Sequence, residues 1–266
     1  MKVHTATLAG GQSNADRVFV TDHSVIVLDG ATAFEPVDVD PGTYAGTLGK
    51  AIAERVDQAP DIATAVTEAI RATSAALHLN NTASPSSTVT VLRARDDHAD
   101  LYALGDSSIY YGTARQSAQL TDTRLAALPL TERGRYKAAL TAGAGYNDEH
   151  RETLAALQRA QRLYRNVRGG YWIAETNPDA ARQGFTVTLP AGQIEWAVLA
   201  TDGAADLICH HERPRWPEIA RYDDAALSEL LDRLHQWEDD ADPHGQLLPR
   251  SKRHDDKTVA AVPAVF

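Results

Sequence analysis

Cysteine and lysine are scarce in this 266-residue chain. The single cysteine, Cys209, excludes an internal disulfide framework or a zinc ribbon and suits a reducing compartment. Lysine stands only at positions 2, 50, 137, 252 and 257, and with a formal net charge of −10 the sequence lacks the basic patches that general binding to nucleic acid or an anionic membrane requires. No run of about 18 apolar residues is present to span a bilayer. The opening "MKVHTATLAGGQ" lacks the apolar core of a signal peptide, so a cytoplasmic location is expected. No HExxH pattern, dinucleotide-binding glycine fingerprint or G-x-S-x-G context occurs, which leaves the ten histidines and Ser107 and Ser108 with structural readings. With 43% hydrophobic and 23% charged residues, the chain reads as one globular domain, 1–266, able to bury a sizeable core.

What is present is a series of short β-branched runs with helices between them. "RVFVTDHSVIVLDG" reads as a hairpin turning at Thr21-Asp22-His23, and "STVTVLRAR" with "ADLYALGDSSIYYG" as another turning at Asp96-Asp97-His98. Between them, helical spacing runs over "GTYAGTLGKAIAERVDQ", 42–58, ended by Pro60, and from Ile62 to Leu77, with Asp61 as its cap. Residues from about 120 to 150 carry Pro129, Gly134, Gly143 and Gly145 among polar residues and read as a loop-rich flap insertion. An amphipathic helix follows over "DEHRETLAALQRAQRLYRN". Strands are expected again at "GYWIAET", "GFTVTLP" and "EWAVLATDG", then a helix over "DDAALSELLDRLHQWEDD". Last comes a strand, "KTVAAVPAVF", in which Pro263 marks an edge or an end. Antiparallel hairpins with helices after each group predict an α+β layering of sheet on sheet, with helices outside.

Several of these strands run into an acid. Asp29 follows "VIVL", Asp202 follows "WAVLAT", Asp106 follows "LYALG", and Asp16 and Asp255 precede strands. Singly, an Asp-Gly is an ordinary turn. Gathered in one cleft, such carboxylates form an oxygen-only ligand set that suits Mg²⁺ or Mn²⁺, and two such ions can activate water for attack on phosphorus.

In order, "SNAD", "VIVLDG", "SSTVTVL", "LYALGDSSIYY", "WAVLATDGAADL" and "HDDKTVAAV" resemble the metal-dependent serine/threonine phosphatases of the type 2C family, over nearly the whole chain. The resemblance implies a four-layer αββα sandwich of two mainly antiparallel sheets flanked by helices, with two Mn²⁺ or Mg²⁺ ions in a cleft at one end. It implies that Asp29 bridges the two ions, that the Gly30 carbonyl ligates one, and that Asp202 and Asp255 complete the coordination. It also implies that Asp16 holds a metal-bound water, and that Asp106 belongs to a weaker third site. The expected activity is hydrolysis of phosphoserine and phosphothreonine in a protein substrate by a monomeric, bacterial-type enzyme. A binding module without turnover and a phosphatase of small metabolites are the alternatives. The sequence departs from the family at Gly11, where an arginine grips the phosphate, at Ser108, at "ATAFEPVDV" after the Asp29-Gly30 pair, and at Asp256, where asparagine is usual. Arg17, Lys257 and Arg253 flank the acidic motifs and are candidates for a substitute clamp, set against ordinary surface charges.

Overall fold

The strongest strands of this sequence do not alternate apolar with polar residues, because both of their faces are covered. The computed structural model describes residues 1–31, 37–80, 83–211 and 215–266; residues 32–36, within the departure at "ATAFEPVDV", lie outside the described residues. In chain order the elements are β1 (His4–Leu8), β2 (Arg17–Val20), β3 (Ser24–Leu28), α1 (Pro41–Ala53), α2 (Ile62–Ala76), β4 (Val89–Ala94), β5 (His98–Leu104), β6 (Ser108–Gly112) and β7 (Ser117–Leu120). They continue as α3 (Thr131–Thr141), α4 (Asp148–Arg162), β8 (Phe185–Pro190), β9 (Trp196–Ala200), α5 (Asp202–His211), α6 (Trp216–Ile219), α7 (Asp224–Asp240) and β10 (Lys257–Val262). Two five-stranded sheets result, one in the order β1-β10-β9-β6-β7 and the other β2-β3-β4-β5-β8, with every pairing antiparallel.

The period-two geometry of a strand sends successive side chains to opposite faces. On β3, Val25 and Val27 face Leu199 of β9 and Ala260 and Val262 of β10 across the gap between the sheets. Its alternate residues, Ile26 and Leu28, pack outward against Leu48 and Ile52 of α1 and Ile70 of α2. The second sheet repeats the arrangement: Val198 and Val259 meet Leu230 and Leu234 of α7 and Ile208 of α5 on its outer face. Helix, sheet, sheet and helix therefore stack in four layers, as the α+β expectation had it.

Side-chain caps fix where the helices begin. Asp61 accepts from the Thr64 amide at 2.7 Å at the start of α2, and Asp223 from the Ala226 amide at 2.9 Å at the start of α7. Helix α1 stops at Ala53 instead of reaching Pro60. Beyond it, the buried Arg93 guanidinium donates hydrogen bonds to the carbonyls of Val56 and Ala59, and the chain turns around it. Pro263 directly follows β10, an interior strand of its sheet, so it marks an end and not an edge.

Two expectations need amending. Residues 120–150 hold more than loop: amid the turns at 121–130 and 142–147, α3 and the start of α4 form a helical hairpin around Tyr136, Leu140, Leu154 and Leu157. Helix α3 has only two buried side chains and no capping side chain, so its own pattern is weak and α4 supplies its partner surface. "GYWIAET" is not a strand. Its alternation reflects a wedge, with Tyr171 and Ile173 buried against Leu128, Trp172 turned to the α1–α2 core, and Ala174 making a lone bridge to Ser87.

The inter-sheet core should dominate stability. Leu199→Ala is expected to cost about 2–5 kcal/mol in urea denaturation, whereas Leu163→Ala, at a position 78% exposed, should stay within about 0.5 kcal/mol of wild type. Equal effects would contradict the layer assignment.

Candidate metal centre

Antiparallel register brings the acids together. Arg17 pairs with Leu28, so Asp16, just before β2, lies beside Asp29, just after β3. Val259 pairs with Ala200, which sets Asp255, before β10, near Asp202, after β9. Asp106 follows β5 where the chain crosses from one sheet to the other. Asp29, Asp106, Asp202 and Asp255 line one cavity of about 300 Å³, roofed by Tyr136 of α3 and by Leu154 and Leu157 of α4. Asp202 is the charged neighbour that acts most strongly on Asp29.

Local structure locks each acid. Thr88 holds both backbone groups of Asp29: its Oγ1 accepts from the Asp29 amide at 3.1 Å and its amide donates to the Asp29 carbonyl at 2.9 Å. The glycine after each of the two acids is demanded by close approach of backbone. A Cβ on Gly30 would meet the Ala15 carbonyl oxygen at 2.8 Å, and one on Gly203 would meet the Asp256 carbonyl oxygen at 2.2 Å. Thr201 Oγ1 donates to Asp16 Oδ2 at 2.8 Å and accepts from the Thr258 amide at 3.0 Å. Asp256 uses both oxygens as acceptors for backbone, Oδ1 from Gly10 and Oδ2 from Ala15, each at 2.8 Å. The extra acid at the family's asparagine position is thus a clamp on the 10–15 loop that presents Asp16.

The electrostatics are those of carboxylates with too little cation. Burial drives Asp16 up to about 8, with Asp255 and Asp256 adding repulsion and the Thr201 hydroxyl opposing it. Burial likewise drives Asp106 up to about 7, reinforced by Asp202, and pushes Asp29 well above the carboxylate range, with Asp202, Asp16 and Asp255 adding to it. Asp255 is raised by burial while Lys252, whose Nζ donates to its Oδ1, pulls the other way. Asp206, one turn after Asp202 on α5, is pushed up to about 6 by the surrounding protein and by Asp202, although part of its side chain stays exposed. Its i, i+4 spacing from Asp202 in "DGAADL" was the available sequence signal.

Among the described residues, Asp16 Oδ1 is buried with no hydrogen-bond partner. Asp16 itself is not on the cavity wall; an orphaned buried carboxylate oxygen beside a set of carboxylates fits a hard divalent cation. A tighter trio, His235, Glu238 and His254, brings its ligand atoms within 4.8 Å of one another. There, Glu238 Oε2 already faces Lys257 Nζ at 2.8 Å and His254 Nδ1 at 3.0 Å, and Arg250 stands 3.3 Å from Oε1. That trio reads as a brace between α7 and the start of β10. A larger hollow of about 580 Å³ lies at the far end of the second sheet, and the guanidinium groups of Arg93 and Arg95 on its wall are engaged by carbonyls and Asp100.

The candidate clamps are occupied. Arg17 Nη1 donates to the carbonyls of Asn14 and Asp16, Lys257 is buried on Glu238, and Arg253 pairs with Asp239. Among the described residues, nothing lies within 4 Å of where a side chain at Gly11 would begin.

The fold is that of the bacterial serine/threonine phosphatases, as the motifs implied. A bacterial serine phosphatase superposes with a TM-score of 0.58 over 98% of this chain and 96% of its own, at 13% identity. The serine/threonine phosphatase PstP/Ppp of Mycobacterium tuberculosis does so with 0.58 over 98% of each chain at 15% identity. The catalytic domain of a serine/threonine protein phosphatase PstP in complex with two manganese ions gives 0.57 over 97% of this chain and 96% of that one at 16%. No family model and no curated protein matches the sequence. Among the described residues, no helix is long and apolar enough to cross a membrane.

A raised carboxyl favours folding while it is protonated in both states, so its contribution is full in acid and is lost as pH rises through the folded-state value. For Asp16 and Asp106 the window runs from about 4 to about 8. Asp100 and Asp242, held low by arginines and other donors, act in the opposite sense, and only below that window. Metal-free protein should therefore lose melting temperature from these groups between pH 4 and 8. Asp29→Asn should be more stable than wild type in chelator at pH 8, with the advantage shrinking toward pH 4. Mn²⁺ at a hundredfold excess over its Kd should add about 2.7 kcal/mol to wild type and much less to Asp29→Asn. A destabilised metal-free variant that still gains fully from Mn²⁺ would make Asp29 a turn residue.

Proposed function

We propose that this chain is a metal-dependent phosphomonoesterase that removes phosphate from phosphoserine and phosphothreonine in cytoplasmic protein substrates. The observation that carries the reading is the convergence of Asp29, Asp106, Asp202 and Asp255 on one cavity, with the orphaned Asp16 Oδ1 beside them. Asp29, Asp202 and Asp255 would hold two divalent ions with the Gly30 carbonyl, and Asp106 would contribute to a third. Bound ions supply Lewis acidity, lowering the pKa of water and neutralising phosphoryl oxygens.

The remaining work falls to the protein. Asp16, oriented by Thr201 through Oδ2, presents Oδ1 to accept a hydrogen bond from the attacking water and fix its approach. The α3–α4 hairpin excludes bulk water with Tyr136, Leu154 and Leu157 and leaves the cavity open to a phosphorylated side chain. No covalent phosphoenzyme is needed: Cys209 is exposed on α5, its sulfur 3.6 Å from the Tyr110 hydroxyl, and is absent from the cavity wall.

Purified protein should hydrolyse an aryl phosphate with Mn²⁺, lose that rate to chelator, and lose it equally in Asp202→Ala. Phosphopeptides should be turned over with a higher kcat/KM than sugar phosphates. The reverse preference would point to a metabolite phosphatase. A wild-type rate no higher than that of Asp202→Ala at any metal concentration would leave only a binding module.

A further inference from the structure

Resting on the phosphatase reading, a phosphomonoester dianion must enter a cleft lined by Asp29, Asp106, Asp202 and Asp255, and a cationic donor from the protein would favour its entry. Among the described residues, the cavity wall holds Arg133, Lys137, Arg165 and Lys252. Arg133 is committed to the carbonyls of Leu125, Ala126 and Leu128, and Arg165 to the Tyr171 hydroxyl and Glu175. Lys137 is exposed on α3, on the hollow shared with Asp206. Lys252 is half-buried among the acids, with its ammonium on Asp255 and within the field of Asp29 and Asp256.

The partner of Lys252 is itself one of the carboxylates assigned to metal coordination. We propose that Lys252 is the phosphate-binding cation of this cleft: it neutralises Asp255 while the centre is empty, and turns to the phosphoryl dianion once that carboxylate is engaged by metal. A flexible four-carbon stem ending in a point charge permits such an exchange without backbone movement. Asp255 is already drawn toward the lysine.

The exchange predicts opposite effects of one substitution. Lys252→Met, by calorimetry, should bind Mn²⁺ several-fold more tightly, because a competing cation is gone. Inorganic phosphate, followed by ³¹P NMR on Mg²⁺-loaded protein, should bind it at least about tenfold more weakly. Lys252→Arg should keep phosphate binding, and it decides the matter if the methionine variant fails to fold. Loss of both affinities in Lys252→Met would make Lys252 a prop for Asp255 and overturn the proposal. So would unchanged phosphate affinity, loss in Lys252→Arg, or a loss found in Lys137→Ala but not in Lys252→Met. A wild-type protein that binds no divalent ion would instead bring down the phosphatase reading itself, whereas one that binds metal and phosphate regardless of Lys252 leaves that reading standing.

Discussion

Carboxylates taken out of water beside one another are unfavourable by two routes, desolvation and mutual repulsion, and neither is relieved by packing. At the open end of this sandwich both act on Asp16, Asp29 and Asp106, and burial is the larger cause in each. The rest of the molecule is arranged to hold that arrangement in place. Strand pairing sets which acids are neighbours, and Thr88, Thr201 and Asp256 fix them by hydrogen bonds to backbone or to the carboxylate itself.

Behind the cleft lies a second, better compensated set of charges. Glu238 of α7 is fully buried, yet it is met by Lys257, Arg250 and His254, and Lys257 also donates to the Asp255 carbonyl at 2.8 Å. The outer helix layer is thereby tied to the strand that carries Asp255. The contrast is chemically informative. Where the charges serve structure, cations are supplied; at the aspartate cleft the protein offers little beyond Lys252, and the deficit is one that divalent ions can fill.

How much of this was legible from sequence depends on how local its cause is. Apolar runs such as "VIVL" and "WAVLA" ending in acids were readable because a strand both buried and terminated leaves a one-dimensional trace. The four-layer fold and the convergence of Asp29, Asp202 and Asp255 followed from them and from the family resemblance. Helix α3 was not readable, since its apolar face is completed by Leu154 and Leu157 of α4. "GYWIAET" misled because period-two burial arose from a wedge between two clusters instead of a sheet. The roles of Asp256, Thr201 and Lys252 rest on contacts that cross the chain or span a loop, and no local pattern announces them. Proximity in sequence to an acid pointed to Arg17, Lys257 and Arg253, each of which proved to be engaged elsewhere.

Whether these aspartates hold protons that metal displaces is tested most directly by adding Mn²⁺ to weakly buffered, metal-free protein near pH 6.5 and recording the pH. A crowded cluster with Asp16 held up to about 8 and Asp106 to about 7 must release protons as metal binds, and the release should fade by pH 9. Binding of Mn²⁺ at pH 6.5 with no proton release would show the carboxylates to be already ionised and apart, and would contradict the account.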